Sequence, residues 1–435
     1  MRVIFFFLVV FCFLSCERAS KPELNVDRKA EEAMHSLLQK REIFELKEML
    51  AKHKDVIPAS KYQFFSAFVQ NASNQSTRSN EIIESLLTTE PDLPDSLVAD
   101  LMLLKRDNYI KLFDYGKAEA SGRELIERFD SLFDEGKIHN IENKNTIYRG
   151  LIHTPPQRTI ATELSSLKWK RDKVGLMTIP VTIGTSTTDF IFDTRAGISV
   201  IMKSYAEKLK LRMPGVRYQE GSGITGRTFE AEIGIADSLT IGGIKVYNVV
   251  FQVLPDEILS FPSMDYYMKG IVGFPVIVQW KRFRIDNNGT VTLLTDRDTS
   301  SFQNLAFDEA AIVVQAQADD DTLSFYVDSG ANHSELFSNF YFERESLVKQ
   351  IARVDTIEVG GVGGIEKKQV YTLPALNVRI GETDRGLKDI QVLTKPTYQG
   401  QKHYGNLGQD LLSQFKEVTF DFDAMSLRVS KDKED

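Results

Sequence analysis

The stretch Phe190-Ile191-Phe192-Asp193-Thr194-Arg195-Ala196-Gly197 drives three apolar residues into an acid and a hydroxyl. An apolar run closed by turn-forming residues reads as a buried strand that presents Asp193 at its end. The pattern recurs as Phe325-Tyr326-Val327-Asp328-Ser329-Gly330-Ala331, so that the two aspartates lie 135 positions apart (328 − 193). Ile271-Val272-Gly273 follows the first acid and Asn406-Leu407-Gly408 the second, each glycine 80 residues after its aspartate. Further on, the segment from Phe283 containing Asp286 matches the segment from Val418 containing Asp421, again at a spacing of 135. Between acid and glycine each copy carries a glycine-rich turn, Gly221-Ser222-Gly223-Ile224-Thr225-Gly226 in one and Gly360-Gly361-Val362-Gly363-Gly364 in the other. Four landmarks in nearly constant register argue for a duplicated lobe.

Two such lobes related by a pseudo-twofold axis would bring their strand-end acids together. Neighbouring carboxylates cannot both ionise cheaply, so they share a proton. One then serves as acid and the other as base, and a water held between them becomes a nucleophile. Such a pair titrates as a unit.

The rest of the chain sets the frame. Its 435 residues carry a net charge of −8 with 42% hydrophobic and 26% charged residues, an ordinary globular composition for two or three domains. No basic patch with interleaved aromatics points to nucleic acid. From residue 28 to 150 the pattern is helical, with Ala33, Leu37, Leu38, Ile43, Leu46 and Leu50 near a 3.6 period. Tyr109, Tyr115, Ala118 and Leu125 lie on the apolar stripes of a helical hairpin that fits a tetratricopeptide-type unit or a generic bundle equally well. A protein partner through this helical region is an expectation. From about Val174 the texture turns to β: alternating Val, Ile, Thr and Phe, punctuating glycines, and Asn288-Gly289 as a hairpin turn. The expected class is α+β, an all-α region followed by a bilobal all-β region, with lobes at 174–295 and 309–432.

The N-terminus reads as a targeting segment. Met1-Arg2 precedes an apolar run from Val3 to Leu14, too short to span a bilayer comfortably, which makes 1–15 a signal peptide. Phe13-Leu14-Ser15-Cys16 resembles the bacterial lipobox, in which the cysteine is lipidated; a plain signal peptide is the other reading. The resemblance implies lipid attachment at Cys16, a tether over 16–27, and a location in the bacterial cell envelope. Cys12 and Cys16 are the only cysteines, so neither an internal disulfide nor a cysteine nucleophile is expected in the mature chain. The six histidines lack ligand spacing, and neither metal nor cofactor is expected.

The paired motifs resemble the pepsin-like and retropepsin-like aspartic proteases, specifically the bilobal bacterial members, over about Val174 to Val429. The family's triplet of Asp, Thr or Ser, and Gly matches Asp328-Ser329-Gly330 fully and Asp193-Thr194 in its first two positions. By that resemblance Asp193 and Asp328 form a catalytic dyad, and Thr194 and Ser329 lock the two loops together across the axis. Gly330, Ala196, Ala331, Gly273 and Gly408 support the loops. Gly223, Ile224, Thr225 and Gly226 sit where a flap closes over substrate, and Gly360–Gly364 fits the same role in the second lobe. The resemblance implies a membrane-anchored endopeptidase that hydrolyses a peptide or protein substrate with an activated water.

Arg195 departs from the pattern, because the third position is glycine where the loop turns tightly. A guanidinium beside the dyad would hold carboxylates charged and oppose proton sharing. One turned outward would leave the backbone N–H free to serve Asp193. The alternative function is therefore an impaired protease-like lipoprotein that binds peptides or partner proteins. His333 is expected to be a satisfied polar loop residue, and Asp410, Asp286 and Asp421 are expected to be capped or exposed strand-end and loop acids.

Overall fold

The computed structural model describes residues 28–161, 165–221, 228–296, 302–396 and 401–430. The expected signal segment, Cys16, and Gly223, Ile224, Thr225 and Gly226, expected as a flap, lie outside the described residues.

The N-terminal region consists, among the described residues, of seven α-helices between Arg28 and Leu151. The first apolar stripe is divided between Arg28–Lys40 and Ile43–Lys52, because Arg41 takes a left-handed φ of 61° and turns the chain. The break moves the buried positions: Ala30, Met34, Leu46 and Leu50 are buried, while Leu37, Leu38 and Ile43 pack at the edge of the cluster. In the helix Tyr115–Phe129, Asp114 caps the first turn by accepting from the Lys117 N–H, and Tyr115, Ala118, Gly122, Leu125 and Phe129 form the buried stripe. Asn145 of the helix Glu135–Leu151 lies so close to Gly122 that a side chain there would overlap it at 2.1 Å. None of the helices described is long and apolar enough to cross a membrane.

The β region begins at Arg158. In the described residues the first lobe is a nine-stranded sheet whose strands Thr228–Ile241 and Ile244–Leu254 also pair with each other, which curls it. Strand Met177–Ile183 turns at Gly184, φ 61°, into Ser186–Phe192, which delivers Asp193. Strand Gly270–Val272 lies parallel to it, pairing Ile271 with Ile191 and Val272 with Phe192, and antiparallel to Ser199–Met202, pairing Ile271 with Val200. The second lobe repeats this register. Gly405–Leu407 lies parallel to Asp321–Val327, pairing Asn406 with Tyr326, and antiparallel to Glu335–Leu336, pairing Asn406 with Glu335. The repeat read from spacing is thus a repeat of pairing. Short helices at Lys203–Lys208, Ser338–Glu343 and Glu345–Ile351 interrupt the β texture, and the sequence pattern did not reveal them.

A five-stranded sheet joins the lobes through Arg282–Asp286 and Glu417–Asp421, which pair antiparallel with Phe283 opposite Phe420. Phe283 stacks on Phe420 and Phe192 on Trp280, while Phe283 meets Trp280 and Phe422 edge to face, so one apolar core runs through both lobes beneath the acids. The Asn288-Gly289 hairpin has a three-residue loop: Asp286 pairs with Thr290, and Gly289 takes the left-handed position at φ 83°. Asp286 and Asp421 each cap their own turn, by accepting from Asn288 and Thr290 N–H and from Asp423 and Ala424 N–H respectively.

Candidate active site

Each acid sits one residue past the end of its strand. Asp193 N–H donates to Val272 O and Asp328 N–H to Leu407 O, both at 3.0 Å, so the parallel pairing continues onto the acid itself. The next residues cross the axis. Thr194 Oγ1 donates to Val327 O at 2.7 Å and accepts from Ser329 N–H at 3.0 Å. Ser329 Oγ donates to Phe192 O at 2.7 Å and accepts from Thr194 N–H at 3.0 Å. Both hydroxyls are buried, at 0% and 1% exposure, so these four bonds are shielded from competing water.

The lock places the acids against one another. A side chain started at Gly330 would put its first carbon 2.4 Å from Asp193 Cγ and 2.5 Å from Oδ2. The Asp193 carboxyl therefore lies directly on the Gly330 backbone, two residues from Asp328, and only glycine leaves room for it. Burial, together with the neighbouring Asp328 carboxylate, pushes the Asp193 carboxyl up to about 7; the Arg195 and Ala196 N–H groups pull the other way. Those two amides donate to Asp193 Oδ1 at 2.8 and 3.0 Å. Asp328 Oδ1 accepts from Gly330 N–H at 3.0 Å, and its Oδ2 accepts from Asn406 Nδ2 at 2.8 Å.

The bracing glycines behave alike. A side chain at Gly273 would meet Ala196 O at 2.4 Å, and one at Gly408 the His333 carbonyl carbon at 2.7 Å. Ala196 O accepts from Phe274 N–H and Ala331 O from Gln409 N–H, both at 2.8 Å. Gly273 N–H donates to Ser199 Oγ and Gly408 N–H to Ser334 Oγ. Asp410 caps Ser334 from below, accepting its N–H and its hydroxyl, and His333 is exposed.

Arg195 does not turn outward, and it does not sit evenly over the pair. It reaches into the second lobe, where Nη1 donates to Asn406 Oδ1 at 3.3 Å and lies 3.8 Å from Asp328 Oδ2. The guanidinium stacks 4.4 Å from the Tyr326 ring centroid and 5.4 Å from that of Phe337. Sequence reasoning quoted Tyr326 and Asn406 only within the matching motifs, and gave none of Tyr326, Glu335, Phe337 or Asn406 a role of its own. A position-by-position comparison of the two copies would have shown them as four departures of the second lobe from the first.

The second glycine-rich turn closes across the molecule. The hairpin Arg353–Gly361 and Gly364–Ile380 carries Gly363 to the first lobe, where its N–H donates to Ile258 O at 3.1 Å, and Val362 packs on the first lobe's apolar cluster. In the first lobe Asn143 of the helical region grips the strand Arg217–Gly221, donating to Gln219 O at 2.6 Å and accepting from Gln219 N–H at 3.3 Å. A small crevice lined by Trp169, Arg171, Ser329, Gln409 and the inter-lobe sheet includes neither aspartate and is not part of this site. Among the described residues no group of His, Cys, Asp and Glu is arranged to hold a metal ion.

A sequence profile of the family described as aspartyl protease matches residues 179–276, which covers the Asp193 motif and the Gly273 brace. A search of curated proteins found no match. Among solved structures, the chain is similar to a retropepsin-like aspartic protease from Rickettsia conorii, at 21% identity over 31% of this chain and 94% of that one, with a TM-score of 0.23. Over residues 179–276 the chain is similar to the aspartyl proteases, and its fold is α+β, an all-α region followed by a two-lobed β region.

Proposed function

We propose that this protein is an aspartic-type endopeptidase in which Asp193 and Asp328 act as one unit on a single water. The observation that carries this reading is the buried reciprocal lock of Thr194 and Ser329, which seats the Asp193 carboxyl on Gly330 beside Asp328. One carboxylate takes a proton from the water as its oxygen bonds to the peptide carbonyl carbon. The other carboxyl gives its proton to the carbonyl oxygen, which receives the π electrons. Collapse of the resulting diol returns that proton and breaks the C–N bond, while the first carboxyl protonates the departing amine. The closing hairpin at Val362 and Gly363 supports an extended peptide held between the lobes through backbone hydrogen bonds.

The test is the full chain incubated with an unfolded protein from pH 3 to 9, with and without a peptide that carries a secondary hydroxyl in place of the scissile carbonyl. Such a mimic of the tetrahedral state binds far more tightly than substrate. Cleavage blocked by the mimic supports the proposal; cleavage indifferent to it contradicts it. A second reading, a protease-like binder with an inert centre, is favoured by the proximity of Arg195 to Asp328. Peptide binding without cleavage at any pH would establish it.

We further propose that the chain is a lipoprotein of the bacterial envelope anchored through Cys16. The support is the apolar run Val3–Leu14 ending in Leu14-Ser15-Cys16. Metabolic labelling with a fatty acid, lost in Cys16→Ala, is the expected result; equal labelling of both would refute it.

A further inference from the structure

The receptor that holds Arg195 exists in one lobe and not in the other. Among the described residues, the side chains around the guanidinium include Tyr326, Glu335, Phe337 and Asn406; the residues 135 positions earlier are Ile191, Val200, Met202 and Ile271. Three of these positions adjoin across paired strands with identical register in both lobes: Ile271 opposite Ile191 and Val200, Asn406 opposite Tyr326 and Glu335. In the first lobe the four residues belong to one buried apolar cluster. In the second they supply a ring to stack on, a carboxyl, a second ring and an amide. The position equivalent to Arg195 is Gly330, which has no side chain. Five positions of a twofold design therefore depart from symmetry together, and all five meet at one point beside Asp328.

We propose that Arg195 is a polarising residue, whose guanidinium, seated with Asn406 in this one-sided receptor, keeps the charge of the pair on Asp328 and the shared proton on Asp193. This rests on the reading of the two acids as a dyad. Asn406 is buried and links the groups in series: its carbonyl oxygen accepts from Arg195 and its amide donates to Asp328 Oδ2. Both Asp328 oxygens are thus met by donors, and a proton on either would displace one. Asp193 takes both of its backbone donors on Oδ1, so Oδ2 accepts a proton without losing either.

Among the described residues, the groups facing Arg195 include Asp328 and Tyr326 from Asp321–Val327 and its loop, Glu335 and Phe337 from the next strand and its end, Asn406 from Gly405–Leu407, and Asp193 from its own loop. Lys368 of Gly364–Ile380 acts on Glu335 from further out. Burial raises the Glu335 carboxyl above its ordinary value against the pull of Arg195 and Lys368, so Glu335 competes weakly with Asp328 for the guanidinium. The elevated Asp193 carboxyl has the same sense. In the reaction Asp328 is then the base that takes the water proton, and Asp193 the acid that protonates the carbonyl oxygen. The arginine that replaces the motif glycine sets a direction in an otherwise symmetric site.

The experiment follows the carboxyl carbons of aspartate-labelled full chain by NMR from pH 2 to 9 in wild type, Arg195→Met, Arg195→Lys and Asn406→Leu, with kcat/KM over the same range. In wild type the higher of the pair's two steps is expected at the Asp193 carboxyl carbon. In Arg195→Met the Asp328 midpoint rises by about one pH unit or more, since a cation within about 4–6 Å lowers a carboxylate by about 1–3 units. The acid limb of kcat/KM moves with it, Arg195→Lys recovers part of the shift, and Asn406→Leu moves it in the same direction. A merely structural residue would lower the rate at every pH and leave the limb in place. Asp193 titrating below Asp328 in wild type, or unmoved midpoints in both Arg195→Met and Asn406→Leu, would overturn the inference. Should wild type cleave nothing at any pH while the titration order and its shift hold, the inference stands and the protease reading fails.

Discussion

Asp193 carries a stability signature that does not depend on substrate. Its carboxyl is raised in the folded chain by burial and by Asp328, so between about pH 4 and 7 the native state binds more protons than the unfolded one. Stability contributed through this group is therefore present below the unfolded value and falls as pH rises through about 7. Asp193→Asn removes that dependence. Its melting temperature relative to wild type should rise by about 3 °C or more between pH 4 and pH 8, as read by calorimetry. A constant difference across that range would mean that the carboxyl is not held protonated. At this scale the sequence displayed the two acids and the two hydroxyls, because strand-end Asp-Thr and Asp-Ser stand out against apolar runs. It did not display Asn406 or Tyr326, whose significance appears only when Arg195 is seen to lie between them.

The lock between the two loops is the element on which the geometry depends. Thr194 and Ser329 each satisfy one backbone N–H and one carbonyl of the opposite lobe, and both residues are fully buried. Ser329→Ala leaves Thr194 N–H and Phe192 O without this partner, and Thr194→Val leaves Ser329 N–H and Val327 O. Each should cost about 2–4 kcal/mol in urea unfolding, given about 1–3 kcal/mol per buried unsatisfied group. An effect below about 0.5 kcal/mol would show that the loops are held by packing alone. Gly330→Ala is the sharper change. Its Cβ would fall on the Asp193 carboxyl, so cleavage should drop by at least about 100-fold, the scale set by misplacing a reacting group by about an ångström. The elements themselves were legible because two-residue alternation and glycine turns mark strands directly. The short helices Ser338–Glu343 and Glu345–Ile351 were not, since fewer than two turns each leave little periodicity to read.

Across the whole molecule, the helical region is docked on both lobes rather than trailing from them. Phe44 packs into the cluster of Tyr326 and Phe337, Arg41 lies 3.7 Å from Asp308, and Asn143 grips the first lobe's strand Arg217–Gly221. Asp308 is the hub of that contact. Burial raises its carboxyl, but His403, Arg41 and Tyr326 together bring it below the usual carboxylate range. Its contribution is thus fully present above about pH 4 and is lost as pH falls through its folded value, opposite in sense to Asp193. Asp308→Ala should destabilise the chain by about 1.5–3 kcal/mol at pH 6, the scale for hydrogen bonds to a charged group, and by progressively less below pH 4. A cost that does not change with pH would contradict the ionised hub. None of this docking was readable beforehand, because Arg41, Asp308 and His403 are far apart in sequence and each looks like a surface residue. The duplication was readable, since a constant spacing of 135 survives where residue identity does not. The account as a whole stands on two acids acting as one. The most direct test is cleavage of one unfolded protein by wild type, Asp193→Asn and Asp328→Asn, side by side from pH 3 to 9. Cleavage by wild type and a loss of at least about 1,000-fold in each variant is the predicted result; either variant cutting at the wild-type rate would contradict it.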